Sequence, residues 1–180
     1  MEILNDEIVW EGKYIRTIRR HFKDRNGSAC IWEMVDRKTH GPSALIAAVT
    51  SDKEIILEKI FRVPLRDYIL ELPAGLMDKS GESSESLARR ELLEETGYAV
   101  GVLTLLTTTP MHPTFANGEL SIFLGFDARK VAEPALEAAE EIEIIKVPVA
   151  ELFDTLTTGE VKFDIKILAL IPFLKVHGIL

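Results

Sequence analysis

Three glutamates in one short segment, Arg90-Glu91-Leu92-Leu93-Glu94-Glu95-Thr96-Gly97, stand at i, i+3 and i+4. On a helix turning about 100° per residue, Glu91, Glu94 and Glu95 share one face. Leu92 and Leu93 then turn toward the opposite arc, the one available to a core. Like charges at these spacings cost a bare helix about 0.2–0.5 kcal/mol per exposed pair. A divalent cation converts that repulsion into attraction, and an all-oxygen donor set suits Mg²⁺ or Mn²⁺. Arg90, four residues before Glu94, can hold that carboxylate in one orientation. Glu82, just ahead of the segment, offers a fourth carboxylate from the preceding loop. The same row also reads as a solvated acidic helix face.

The helix that must carry these side chains is expected over residues 84–96. Ser83 can cap its N-terminus, Glu85 favours its first turn, and Gly97 sits where a helix stop belongs. Upstream, residues 1–40 alternate in short polar and apolar steps around Asn26-Gly27, a hairpin turn signal, and read as a small antiparallel meander. His40-Gly41-Pro42-Ser43 then punctuates the chain. Strands are expected at 44–50, 54–61 and 69–72, the last ended by Pro73-Ala74-Gly75, and again at 102–107 and 120–126. An acidic loop over 137–143 leads into a strand at 143–147. Pro148 opens a short helix through about Thr157, and Asp164 starts a terminal helix to about Val176, which Pro172 should end or kink. Strands and helices mix without regular βαβ alternation. That predicts an α+β fold with a mixed sheet in residues 41–180, preceded by an N-terminal antiparallel sheet in residues 1–40.

The chain of 180 residues carries 21 Lys+Arg against 29 Asp+Glu, a formal net charge of −8, and 47% hydrophobic residues. This is globular composition with enough apolar content for a sizeable core. The acidic balance argues against a nucleic-acid groove, which needs clustered Lys and Arg. It does not exclude a phosphate-bearing small molecule, because a metal ion reverses the local sign of a site. The single cysteine, Cys30, excludes an internal disulfide or a cysteine zinc site and reads as a small strand residue. The N-terminus shows no secretory pattern, and no apolar run approaches the ~20 residues of a membrane helix. A cytoplasmic protein without a membrane partner is the expectation.

Gly75, Glu82, Arg90, Glu91, Glu94, Glu95 and Gly97 together resemble the Nudix box: Gly, five residues, Glu, seven residues, Arg-Glu, an apolar residue, any residue, Glu-Glu, any residue, Gly, then an apolar residue. From Glu82 onward the fit is complete, including Leu92 and Tyr98. At the front, six residues rather than five separate Gly75 from Glu82, a one-residue insertion in the loop. The likeness reaches further. Phe61-Arg62-Val63-Pro64 followed by Leu70-Glu71-Leu72-Pro73-Ala74-Gly75 is similar to the approach to the box in ADP-ribose pyrophosphatases. So are Trp10-Glu11-Gly12-Lys13, Trp32-Glu33, and Pro113 placed 16 residues after Gly97.

The resemblance implies a central α/β/α sandwich with the box as loop–helix–loop. It also implies hydrolysis of a nucleoside diphosphate linked to another group: ADP-ribose and water giving AMP and ribose 5-phosphate with Mg²⁺, Mn²⁺ being possible. It implies Glu91 and Glu95 as principal metal ligands, the Ala74 carbonyl completing the cluster, and Glu94 as a ligand or just behind one. Arg62 and Glu71 match substrate-contacting positions, and the N-terminal sheet is expected to build a homodimer and contribute to the pocket. For the general base, the candidates are Glu140 and Glu141 on a late loop, with Glu119 weaker and Glu94 also possible. The 140–141 pair reads equally as a solvated acidic turn. Trp10, Tyr14 and Trp32 either stack on adenine or pack the sheet. His21, His40, His112 and His177 lack metal-ligand spacing. A hydrolase of another nucleotide sugar, NADH or a dinucleoside polyphosphate is the nearest rival. A nucleotide sensor without turnover is a rival of another kind, although it would not need all three glutamates.

Overall fold

The computed structural model describes residues 1–39, 41–159 and 161–180, so the expected turn residue His40 lies outside the described residues. The N-terminal meander forms a three-stranded antiparallel sheet of β1 (Glu2–Glu11), β2 (Ile15–Lys23) and β3 (Ala29–Arg37), in that order. Its second turn follows from the chemistry of the expected hairpin. The Asp24 carboxylate accepts the N–H groups of Asn26 and Ser28 at 2.8 and 2.9 Å, and Gly27 takes the left-handed φ of 82° that the turn requires. Ile18 and Met34 are buried, whereas β1 is exposed along its whole length. Val35 N–H donates to the Phe115 carbonyl, and the Trp32 indole N–H to the Thr114 carbonyl at 3.1 Å, tying this sheet to the loop after Pro110.

The main sheet is mixed. It contains β4 (Ser43–Thr50), β5 (Glu54–Arg62), β6 (Asp67–Glu71), β7 (Ala74–Gly75), β8 (Tyr98–Ala99), β9 (Val102–Pro110), β10 (Glu119–Lys130), β11 (Ile142–Pro148) and β12 (Lys162–Phe163). β4 runs parallel to β10 and antiparallel to β7, while β5 is flanked by β6 and β11, both antiparallel to it. Among the described residues, β4 and β5 share one paired position, Val49 opposite Ile55. The strands β7, β8 and β12 are two residues long, too short to leave an alternating pattern in the sequence.

Alternation along the central strands makes two cores. Ala44, Ile46, Ala48 and Ile56 pack with Leu87, Ala88 and Leu92 of the first helix. Leu45, Ala47, Val49, Ile55 and Leu57 pack on the other face with Leu152, Leu156, Ile167, Leu170 and Leu174. Helices on both faces of a mixed sheet make the expected sandwich.

The helical boundaries carry one correction. α1 (Ser84–Glu91) begins as expected, with the Ser83 hydroxyl accepting Ser86 N–H at 3.1 Å, but Leu92–Thr96 closes as a π-helical turn. That wider turn changes the arc: Leu92 is buried as expected, whereas Leu93 is 39% exposed. Near the C-terminus, α2 (Leu152–Thr157) follows one 3₁₀ turn. α3 (Ile165–Val176) runs through Pro172 to Val176, the expected end. Burial of Leu170 and Leu174 on either side of the proline offsets the backbone hydrogen bond it removes.

Candidate active site

The box helix packs against β4 and β7, and its carboxylates meet the Ala74–Gly75 backbone. Glu95 is only 5% exposed, and its Oε2 accepts the Ala74 N–H at 3.1 Å. Burial is the main force pushing its carboxyl well above the usual carboxylate range, followed by the charges of Glu58 and Glu91. Burial also raises Glu91, against the opposing pull of Arg90. These are not the properties of a solvated acidic face. Gly75 explains how Glu91 gets in: a Cβ at position 75 would lie 2.1 Å from its Cδ and Oε1. The side chain lies directly over the glycine.

Arg90 organises the outer part of the cluster. It reaches Glu94 at 2.9 Å, the contact its spacing predicted, and Glu91 at the same distance. It also reaches Glu82 twice, at 2.9 and 3.1 Å, and Asp78 at 3.3 Å. These bonds, Glu82 foremost, raise the affinity of Arg90 for its proton and hold the Glu82 carboxyl below its usual range. Glu82 therefore serves Arg90 and does not line the cavity, unlike Glu94, which stands at its rim. On the strand side, Arg62 makes a two-pronged pair with Glu71 at 2.7 and 2.6 Å.

A cavity of about 640 Å³ opens over this cluster, lined by Glu91, Glu94, Glu95, Ala74, Gly75, Arg90 and Arg62. Arg37, Lys38 and Tyr14 face it from the N-terminal sheet, and Glu140 from the late loop. The structure separates the two base candidates. Glu140 lines the cavity and its Oε2 accepts Glu137 N–H at 2.8 Å, whereas Glu141 is engaged by the Tyr68 hydroxyl outside it. Glu119 lies in a neighbouring cleft with His112 and Pro113. Trp32 and Pro113 share a third, smaller cleft, and Trp10 is exposed on β1. Within one chain, then, Trp10, Trp32 and Pro113 do not meet the carboxylates, whereas Arg62 does.

The donor set fits a hard divalent cation. Every candidate ligand is an oxygen, and the buried Glu58 Oε1 has no hydrogen-bond partner. Among the described residues, no three His, Cys, Asp or Glu side chains converge at metal-ligand spacing, and Glu91 contacts Arg90 at 2.9 Å. Two groups escaped the sequence reading. Arg37 ends β3 and Lys38 follows it, and the pattern of that strand says nothing of the cavity. Glu58 announces itself only as a charge inside the apolar run Ile55-Ile56-Leu57-Glu58.

The NUDIX domain family matches residues 39–171. The chain belongs to the Nudix hydrolase family. It is 34% identical to an ADP-ribose pyrophosphatase of Bacillus subtilis over 94% of this chain and 89% of that protein. It is also 34% identical to an ADP-sugar pyrophosphatase of Mus musculus, over 86% of this chain and 76% of that protein. A putative nudix hydrolase 2 of Caenorhabditis elegans is 39% identical over 58% of this chain, which spans half of that protein. The crystal structure of an ADP compounds hydrolase superposes with a TM-score of 0.82 at 24% identity, covering 99% of this chain and 96% of that one, and so shares the Nudix fold. No helix among the described residues is long and apolar enough to cross a membrane.

Proposed function

We propose that this Nudix hydrolase cleaves the pyrophosphate bond of ADP-ribose, or of a related nucleoside diphosphate sugar, with Mg²⁺ and with Mn²⁺ as a substitute. From ADP-ribose and water the products are AMP and ribose 5-phosphate. The observation that carries the reading is one cavity holding Glu91, Glu95 and the Ala74 backbone on one side and Arg37, Lys38 and Arg62 on another. The printed activities of the Bacillus subtilis and mouse relatives point to the same substrate class.

Glu91, Glu95 and the Ala74 carbonyl would hold the cation, with Glu94 at the rim. When bound, such an ion neutralises phosphate oxygens and makes a coordinated water more acidic. The chain's own groups do the rest. Arg37, Lys38 and Arg62 bind the diphosphate through charge-assisted hydrogen bonds. Arg90 orients Glu91 and Glu94. Glu140 takes the proton of the water that attacks phosphorus, while the bond from that phosphorus to the bridging oxygen breaks. Glu71 fixes the Arg62 fork so that it meets the substrate in one orientation.

We assign residues 1–40 to a dimerising sheet and residues 41–180 to the hydrolase domain. The family match starts at residue 39, and β1 leaves Ile3, Ile8 and Trp10 exposed. A second copy covering that sheet would bring Trp10 or Trp32 toward an adenine ring. The decisive experiment is hydrolysis of a panel of nucleoside diphosphate compounds with Mg²⁺ or Mn²⁺, read by product identity. AMP and ribose 5-phosphate from ADP-ribose support the reading. Preferred cleavage of NADH or a dinucleoside polyphosphate replaces the substrate, and binding without turnover replaces the enzyme by a sensor.

A further inference from the structure

Glu58 stands beside the cavity without a role in the mechanism above. It is 2% exposed, in the middle of a strand whose neighbours Ile55, Ile56 and Leu57 are completely buried. Alternation puts it on the same face of β5 as Ile56, which packs against Leu87, Ala88 and Leu92 of the box helix. There it lies near enough to Glu95 for the two carboxylates to oppose each other's charge. Its Oε1 is buried with no partner. Among the described residues, neither Glu58 nor Glu95 has an ion-pair partner, and the nearby guanidinium of Arg62 is committed to Glu71. Two carboxylates withdrawn from water without a cation are costly, and an apolar residue at 58 would avoid that cost. The arrangement makes chemical sense as half of a coordination site.

We propose that Glu58 is a further oxygen donor of the divalent-cation site, joining Glu95 from the sheet side. The site would then be built from the box helix, the Ala74 backbone and β5. The inference rests on the cation-binding reading of Glu91 and Glu95. The full chain, stripped with EDTA, is titrated with Mn²⁺ alone and followed by electron paramagnetic resonance, with no substrate present. Glu58→Gln should weaken Mn²⁺ binding by about 10–100-fold, while far-UV circular dichroism and melting in EDTA stay at or above those of the parent. Glu58→Leu, which suits the apolar strand, should show the same loss and keeps the test open should the Gln variant misfold. Mn²⁺ affinity within about twofold of the parent in a folded Glu58 variant overturns the proposal. Glu95→Gln is the control. Loss there with none at Glu58 sinks this inference alone, whereas retention at Glu95 sinks the cation site itself.

Discussion

Replacing Glu95 by Gln changes one charge in a place where burial and three neighbouring carboxylates already oppose that charge. Hydrolysis should fall to background in a Glu95→Gln variant that keeps its circular dichroism spectrum. Stability should move the other way. Between the ordinary carboxylate value of 4.5 and the raised one, the folded protein keeps a proton that the unfolded chain has released. The metal-free parent therefore loses stability as pH rises through that range, and Glu95→Gln should flatten the slope. Urea melts in EDTA at about pH 5.5 and about pH 8.5 check the sign. Glu140→Gln should cost about 10²-fold or more in turnover. Glu141→Gln, at a carboxylate held by Tyr68 outside the cavity, should leave most activity intact. Equal losses in separate assays would contradict this division of roles. These residues differ in how far sequence exposes them. Arg90 and Glu94 interact within one helix, so spacing alone predicts their contact. The choice between Glu140 and Glu141 depends on Tyr68, a partner far away in the chain, and no local pattern contains it.

Two glycines show what the elements require. Gly97 ends the box helix at φ 75°, and a Cβ there would sit 2.1 Å from the Ala132 carbonyl oxygen, which is backbone and cannot swing aside. Gly97→Ala should destabilise the fold by about 1–3 kcal/mol, visible as a lower melting temperature. Gly75→Ala meets the movable end of Glu91 instead. Its melting temperature should change little while turnover drops, because the displaced carboxylate belongs to the proposed cation site. The start of α1 was legible because a cap is a local device. Its π-helical end was not, since all five of those residues fit an ordinary helix equally well. Pro172 stands inside α3 against its propensity, and long-range packing of Leu170 and Leu174 outweighs that cost.

At the scale of the molecule, the sandwich was readable from alternation and helix signals, because each face of β4 and β5 meets a different helical layer. How the N-terminal sheet approaches the cavity was not, since it depends on the Val35–Phe115 and Trp32–Thr114 contacts across distant segments. That sheet is where association should be tested. Light scattering should report a dimer, and Ile8→Glu combined with Trp10→Ala should give monomers.

Among the described residues, the main sheet is spliced at one pair, Val49 with Ile55. On one side of the splice hangs Ala74, paired to β4, and on the other lies Glu58, on β5. An ion gripped from both sides would act as a rivet across that seam. Amide exchange near the junction should slow when Mg²⁺ is added, before any nucleotide is present.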